Sequence, residues 1–239
     1  MNILLWLAYK GTNYSGFQVQ PNGVTVCAVV QDAMQSVFGI RPDVKGCSRT
    51  DAGVHARRFA LNFHYDGRIP VQRIPLALNA RLPMDVRALA AQQVPDDFHA
   101  RYAAHAKTYH YRLRVNGPLD LAAMQAAAAY FVGRHDFLAL CASGSSAAAH
   151  GDTVRTITAC TVQQDGELYT LSVTADGYLY NMVRILAGTV LQAGLGKMNP
   201  AAVPALLQSR NRGQAGPTLP ARGLFLWDVQ YPDLERPND

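Results

Sequence analysis

Residues 45–59, KGCSRTDAGVHARRF, place one acid, Asp51, among Lys45, Arg49, His55, Arg57 and Arg58. Gly53, two positions after the acid, can take a positive φ at no steric cost, so Asp51-Ala52-Gly53 reads as a tight turn that holds its carboxylate out of the flanking ladders. Strands are predicted on both sides, over 44–48 and over 59–65, where Leu61 and Phe63 alternate with Asn62 and His64. Any fold for this chain must therefore carry a carboxylate and a group of bases on a turn between rigid strands. Surrounding positive charge favours the ionised acid, and an anion so held can act as nucleophile or base. Aspartate ahead of glycine is also a common turn pair without chemistry, so the turn alone leaves both readings open.

The remaining sequence alternates strand and helix signals. An apolar run over 3–9 is stopped by Lys10-Gly11-Thr12-Asn13. Tyr14, Phe17 and Gln18 follow in a loop that either stacks on bases or is anchored to the core by its rings. Thr25 is the predicted N-cap of a helix in which Val26, Val29, Val30, Ala33, Met34 and Val37 recur at helical spacing up to Gly39. A helix over 71–79 leads through a turn to a strand over 86–92, then to a polar loop over 95–104 with His99 and Arg101. Tyr109, Tyr111, Leu113 and Val115 alternate as on a half-buried strand, a pattern that by itself gives Tyr109 a packing role. Beyond it come a helix over 121–132 closed by Gly133, a mobile low-complexity loop over 141–150, and strands over 157–163 and 168–175 joined by the hairpin signal Asp165-Gly166. A third helix starts near Tyr180, and a final strand runs to Tyr231.

That third helix is apolar nearly all round, yet it contains Arg184. A buried unpaired charge is very costly, so this arginine needs an anion or a route to water. Composition adds a net charge of +5, with 18 arginines among 22 strong bases. Arginine is the better bidentate phosphate ligand, and the excess suits a polyanionic partner; GC-rich coding explains it equally well. Cys27, Cys47, Cys141 and Cys160 show no ligand spacing and read as reduced thiols. The longest low-charge stretch, 119–133, is too short to span a bilayer, so a cytoplasmic protein is expected. Walker loop, zincin pair and nucleophile elbow are missing, and neither cofactor nor metal is implied.

The string RTDAGVHA at 49–56 resembles the active-site motif of the TruA family of tRNA pseudouridine synthases, whose aspartate is catalytic. The resemblance extends over about residues 3–231. Tyr9, Gly11, Tyr14, Gly16, Phe17 and Gln18 keep the pattern of a family loop that approaches RNA, PDDFHARYAA at 95–104 matches a DFHARF-like run, and Met182-Val183-Arg184 matches an active-site string. Asp51 is implied as the catalytic residue, supported by Arg49, Tyr109, Arg184 and Leu224. Tyr109 would stack on the flipped base, Arg184 would keep the carboxylate ionised and oriented, and Leu224 would lie against the site. Tyr14, Phe17, Gln18, Arg57, Arg58, Arg101 and Arg155 would meet the RNA. The implied substrate is tRNA, at uridines 38, 39 and/or 40 of the anticodon stem-loop, and the implied assembly is a homodimer. Members often carry a long insertion where this chain has only Asn116-Gly117-Pro118-Leu119-Asp120.

Each half reads as strand, helix, strands. The expected fold is α+β, with two similar lobes whose mixed, mainly antiparallel sheets join, helices on one side and an RNA-binding active-site cleft between the lobes. The N-terminal lobe, 1–103, carries the catalytic turn, and the C-terminal lobe, 104–239, carries the tyrosine and the arginine. A nonenzymatic RNA-binding protein would use the same basic and aromatic surface with Asp51 as a turn residue, and an acid-base hydrolase would use Asp51 with His55.

Overall fold

The structure, a computed structural model, describes residues 1–232, 234 and 237. In chain order its elements are β1 (Asn2–Tyr9), α1 (Val26–Phe38), β2 (Lys45–Gly46), β3 (His55–His64), α2 (Ile74–Asn79), β4 (Val86–Val94), β5 (Ala106–Leu113), α3 (Leu121–Ala129), β6 (Gly133–Asp136), α4 (Ser146–Ala149), β7 (Val154–Asp165), β8 (Leu168–Ala175), α5 (Met182–Gly194), α6 (Val203–Ser209) and β9 (Leu224–Gln230). They form two compact units, one of Met1–His105 with the chain from Phe225, the other Ala106–Leu224. Each combines helices with β-strands, as an α+β chain should. The sequence reading grouped 104–239 together, whereas β9 packs with the first unit because it pairs in parallel with β3, His55 opposite Phe225 and Ala56 opposite Leu226.

In the first unit the strand order is β4-β1-β3-β9, antiparallel except for that last pair, with β2 also on β3. The expected entry strand over 44–48 shrinks to Lys45–Gly46, and the exit strand starts four residues early, at His55. A side chain at Gly46 would lie 2.4 Å from the Phe17 ring, so packing of the neighbouring loop limits what this strand can be. α1 forms as its pattern requires: Thr25 accepts from the Ala28 amide, Val26, Cys27, Val30, Ala33 and Met34 are buried, and Gly39 closes the helix at φ +74°. Phe38 at its end stacks on Phe63, while Phe59 meets Phe17 at 4.2 Å. Full burial of one such ring contributes about 1.5–3 kcal/mol.

The register of β1 against β3 breaks between Leu7, opposite Phe59, and Tyr9, opposite Ala56. Arg57 and Arg58 occupy this bulge, and bulges re-aim side chains. The Arg57 guanidinium lies 4.4 Å from the Trp227 ring centroid, and Arg58 Nη1 lies 3.6 Å from Asp228 Oδ1. Trp227 and Asp228 are successive strand residues pointing to opposite faces, so the two arginines serve opposite faces as well.

In the second unit the strands run in the order β5-β8-β7-β6, each pair antiparallel. Its β7–β8 hairpin turns at Gly166, φ +56°, the first central residue of a two-residue loop and the position where a type II′ turn requires glycine. α3 is capped by Asp120 and packs against α5 and β7. The short segment ahead of it is tied down: the Asp120 amide donates to the Gly194 carbonyl, and the Leu119 amide to the Tyr169 hydroxyl.

Candidate active site

The turn after β2 is built as a joint between two loops. The Val54 amide donates to the Asp51 carbonyl at 3.1 Å, and Gly53 sits at φ +80°, which closes the predicted turn and leaves Asp51 half-buried at its first position. The loop after β1 is fastened along this turn. The Phe17 amide donates to the Thr50 carbonyl, the Gly53 amide to the Tyr14 carbonyl, and Tyr9 and Thr50 share a buried hydroxyl contact at 2.8 Å. Gly11 approaches so closely that a Cβ there would lie 1.9 Å from the Val54 carbonyl oxygen. Its amide donates to His55 Nδ1 at 3.0 Å, and the His55 ring stacks on Phe225 at 4.6 Å. His55, to which the family resemblance gave no role, is one more strut between the two loops.

Tyr14 and Phe17 turn inward, at 7% and 4% exposure. The Tyr14 hydroxyl donates to Asp85 at 2.5 Å, and burial together with this bond raises its pKa. Of the two readings left open for this loop, these rings follow the anchoring one, and Gln18 stands exposed beside them. Arg49 is exposed, as is Arg101, whose guanidinium lies 5.9 Å from the Tyr102 ring centroid. Arg58 and Arg155 are committed to acids of their own units. The first reaches Asp228 with both side chains largely buried; the second grips Asp152 through two nitrogens at 2.9 and 3.3 Å and holds its pKa below the ordinary carboxylate value.

In the second unit Tyr109 sits on β5 opposite Val173, 6% exposed, edge-on to Tyr178 with ring centroids 4.9 Å apart. Tyr178 is immobilised by donating to the Lys107 and Val173 carbonyls, and its burial pushes its pKa well up, so its hydroxyl stays protonated. Arg184 is half-buried on the first turn of α5. Its Nε donates to the Leu219 carbonyl at 2.7 Å and its Nη1 to Asn181 Oδ1 at 2.6 Å. Asn181 itself sits at φ +59°, which asparagine tolerates better than most residues, and its side chain serves Arg184 instead of capping the helix. The loop that supplies Leu219 is fixed to α5, because the Gly216 amide donates to Thr189 Oγ1, itself bonded to the Ile185 carbonyl. Leu224, buried, begins β9 just after this loop.

Sequence reasoning found Arg184 through its charge in an apolar helix, and missed Asn181, Thr189 and Gly216 because nothing local marks them. It also missed Asn2 and Asn62. Asn62 Nδ2 donates to Asn2 Oδ1, and together they hold the carbonyls of Pro95 and Phe98 and the Ala100 amide, which fixes the loop carrying Arg101. A buried polar residue on a strand was the available signal.

Comparison with known proteins first gives the class. A family model described as tRNA pseudouridine synthase matches residues 6–103 and 127–232, segments that contain Asp51, Arg184 and Leu224 and flank Tyr109. The chain is 45% identical to the tRNA pseudouridine synthase A of Moorella thermoacetica over 94% of its own length and 97% of the relative's. It is 41% identical to that of Caldicellulosiruptor saccharolyticus, covering 96% and 99%, and 42% identical to that of Citrifermentans bemidjiense, covering 96% and 97%. The chain belongs to the tRNA pseudouridine synthase family. Among the described residues no helix is long and apolar enough to cross a membrane.

Proposed function

We propose that this enzyme converts uridine to pseudouridine in tRNA, at positions 38, 39 and/or 40 of the anticodon stem-loop, with Asp51 as the catalytic carboxylate. The carrying observation is the string at 49–56 standing on a turn that a second loop clamps in place, in a chain that matches the family over nearly its whole length. In the reaction the C1′–N1 bond breaks, a C1′–C5 bond forms, and the C5 proton leaves for solvent while N1 is reprotonated. Asp51 has three routes into this sequence: addition to the sugar, addition to the base, or removal of the C2′ proton. Each needs an ionised and oriented carboxylate, the task assigned to Arg184, whose guanidinium is preset by Asn181 and Leu219.

The base must leave its stack, at a cost of a few kcal/mol, and stacking on one aromatic returns roughly 1–3 kcal/mol. Tyr109 supplies that surface, Leu224 an apolar wall, and the remaining stabilisation comes from phosphate contacts by Arg49, Arg57 and Arg101. Gln18 contributes polar contact at the loop surface, while Tyr14, Phe17, Arg58 and Arg155 act by holding the loops that meet RNA. The enzyme is proposed to act in the cytoplasm as a homodimer, which sedimentation of the pure protein tests.

Tritium release from tRNA labelled at uracil C5 tests the chemistry. The parent protein should release tritium, and Asp51→Ala and Asp51→Asn should release none while still binding tRNA; release by either variant at the parent rate overturns the assignment. In the same assay Tyr109→Phe should retain most activity and Tyr109→Ala should lose it, since the ring face does the work.

A further inference from the structure

An open depression of about 700 Å³ lies wholly within the first unit, where the end of β1 meets the starts of β3, β4 and β9. No residue of the catalytic proposal except Arg57 lines it. Its wall is a row of π systems: Tyr9, the His55–Phe225 stack, and Trp227 with the Arg57 guanidinium over it at 4.4 Å. Phe225 and Trp227 are both half-buried, which leaves ring surface open to a ligand. Lys10 and Arg87, both exposed, join Arg57 as cations against one acid, Asp85, which is already engaged by the Tyr14 hydroxyl. Met84 stands on the rim fully exposed, an adaptable thioether of the kind that closes over flat ligands.

We infer that this depression holds an unpaired nucleobase of the RNA substrate, close in the strand to the reacting uridine but distinct from it. The volume lies in the range of small-molecule sites. Aromatic and guanidinium planes are the surfaces on which extruded bases stack, and the cationic rim complements the phosphates that accompany such a base. His55 lines the depression and is four residues from Asp51, so the two lie within about 14 Å of each other at full extension. The base held here would fix the strand on one side of the reacting nucleotide.

The inference rests on the proposed RNA substrate, and its test includes a readout that needs no turnover. The chain has two tryptophans; Trp6 is 1% exposed and Trp227 lines the depression, so emission that falls on adding RNA reports Trp227. An anticodon stem-loop RNA is titrated into the protein, followed by a series in which one loop nucleotide at a time, other than the reacting uridine, is made abasic. The intact RNA should quench, and one abasic position should abolish the quench and raise KM by roughly five- to a hundred-fold, the loss of one stack. Met84→Asp should likewise weaken the quench and raise KM. The inference is overturned if every abasic RNA quenches like the intact one, if Met84→Asp behaves as the parent, or if uridine 5′-monophosphate alone quenches as fully as RNA, which would make this a free-nucleotide site. RNA that quenches yet is never isomerised sinks the functional proposal instead, and isomerisation without any quench sinks this one.

Discussion

At the scale of single residues, the feature most in need of explanation is Asn181, held in the left-handed region ahead of α5 without capping it. Two roles are mixed there, a backbone angle that glycine would adopt freely and a side-chain oxygen that receives Arg184. Substitution separates them. Asn181→Gly keeps the angle and loses the acceptor, so it should lose no more stability than that one hydrogen bond carries. A hydrogen bond to a charged group is worth about 1.5–3 kcal/mol, so kcat should fall roughly ten- to a hundred-fold with little change in KM. Asn181→Asp keeps an acceptor and should recover most of that loss, while Asn181→Ala should lose both activity and stability. Steady-state kinetics with denaturant melts decides the matter: an Asn181→Gly enzyme that turns over like the parent means the residue is there for its backbone alone. His55 offers a parallel lesson. Its position beside a candidate catalytic acid invited an acid-base role, yet its Nδ1 is taken by the Gly11 amide and its ring by Phe225.

At the scale of elements, the arginine is positioned by the contact of α5 with the loop that follows α6. A Cβ at Gly188 would lie 1.9 Å from the Pro217 carbonyl oxygen, so helix and loop touch through backbone. Alanine in an ordinary helix interior is about 1 kcal/mol better than glycine. Here the clash reverses the sign, and Gly188→Ala should destabilise by about 1–3 kcal/mol, the usual cost of overpacking. Because the same loop carries the Leu219 carbonyl, kcat should fall with stability, and guanidinium melts read alongside turnover check both. A Gly188→Ala enzyme as stable and as fast as the parent would falsify this account of the loop. Elements whose signals are local were legible: α1 through its spacing and caps, the β7–β8 hairpin through Asp165-Gly166, the turn at Asp51 through Gly53. Elements made by tertiary contact were not. β6, four residues without alternation, exists by pairing with β7; α6 was hidden behind Pro200 and Pro204, which start helical turns here; and the bulge at Arg57 and Arg58 leaves no mark in a string of strand residues. The site divides in the same way. Asp51 and Arg184 announce themselves by charge in an unexpected setting, whereas the partners that orient Arg184 are an asparagine and a carbonyl that only folding brings near.

At the scale of the molecule, the charge of +5 has to be apportioned before it can be called an RNA-binding surface. Arg58 and Arg155 are matched by Asp228 and Asp152, so their charge is spent within the fold. Arg49 and Arg101 are exposed on the first unit, on loops held by the Thr50 contacts and by the Asn2–Asn62 pair. Each phosphate a protein neutralises releases counterions, and log K falls against log salt by about 0.7 per contact on single strands and 0.9 on duplex. Arg49→Gln and Arg101→Gln should therefore each flatten the salt dependence of tRNA binding by about one contact and weaken all tRNAs alike. Arg155→Gln should leave that slope unchanged, since removing it exposes Asp152 without removing a phosphate contact. Filter binding across a salt series measures all three, and a slope that moves with Arg155 but not with Arg49 or Arg101 would shift the RNA-binding surface from the first unit to the second.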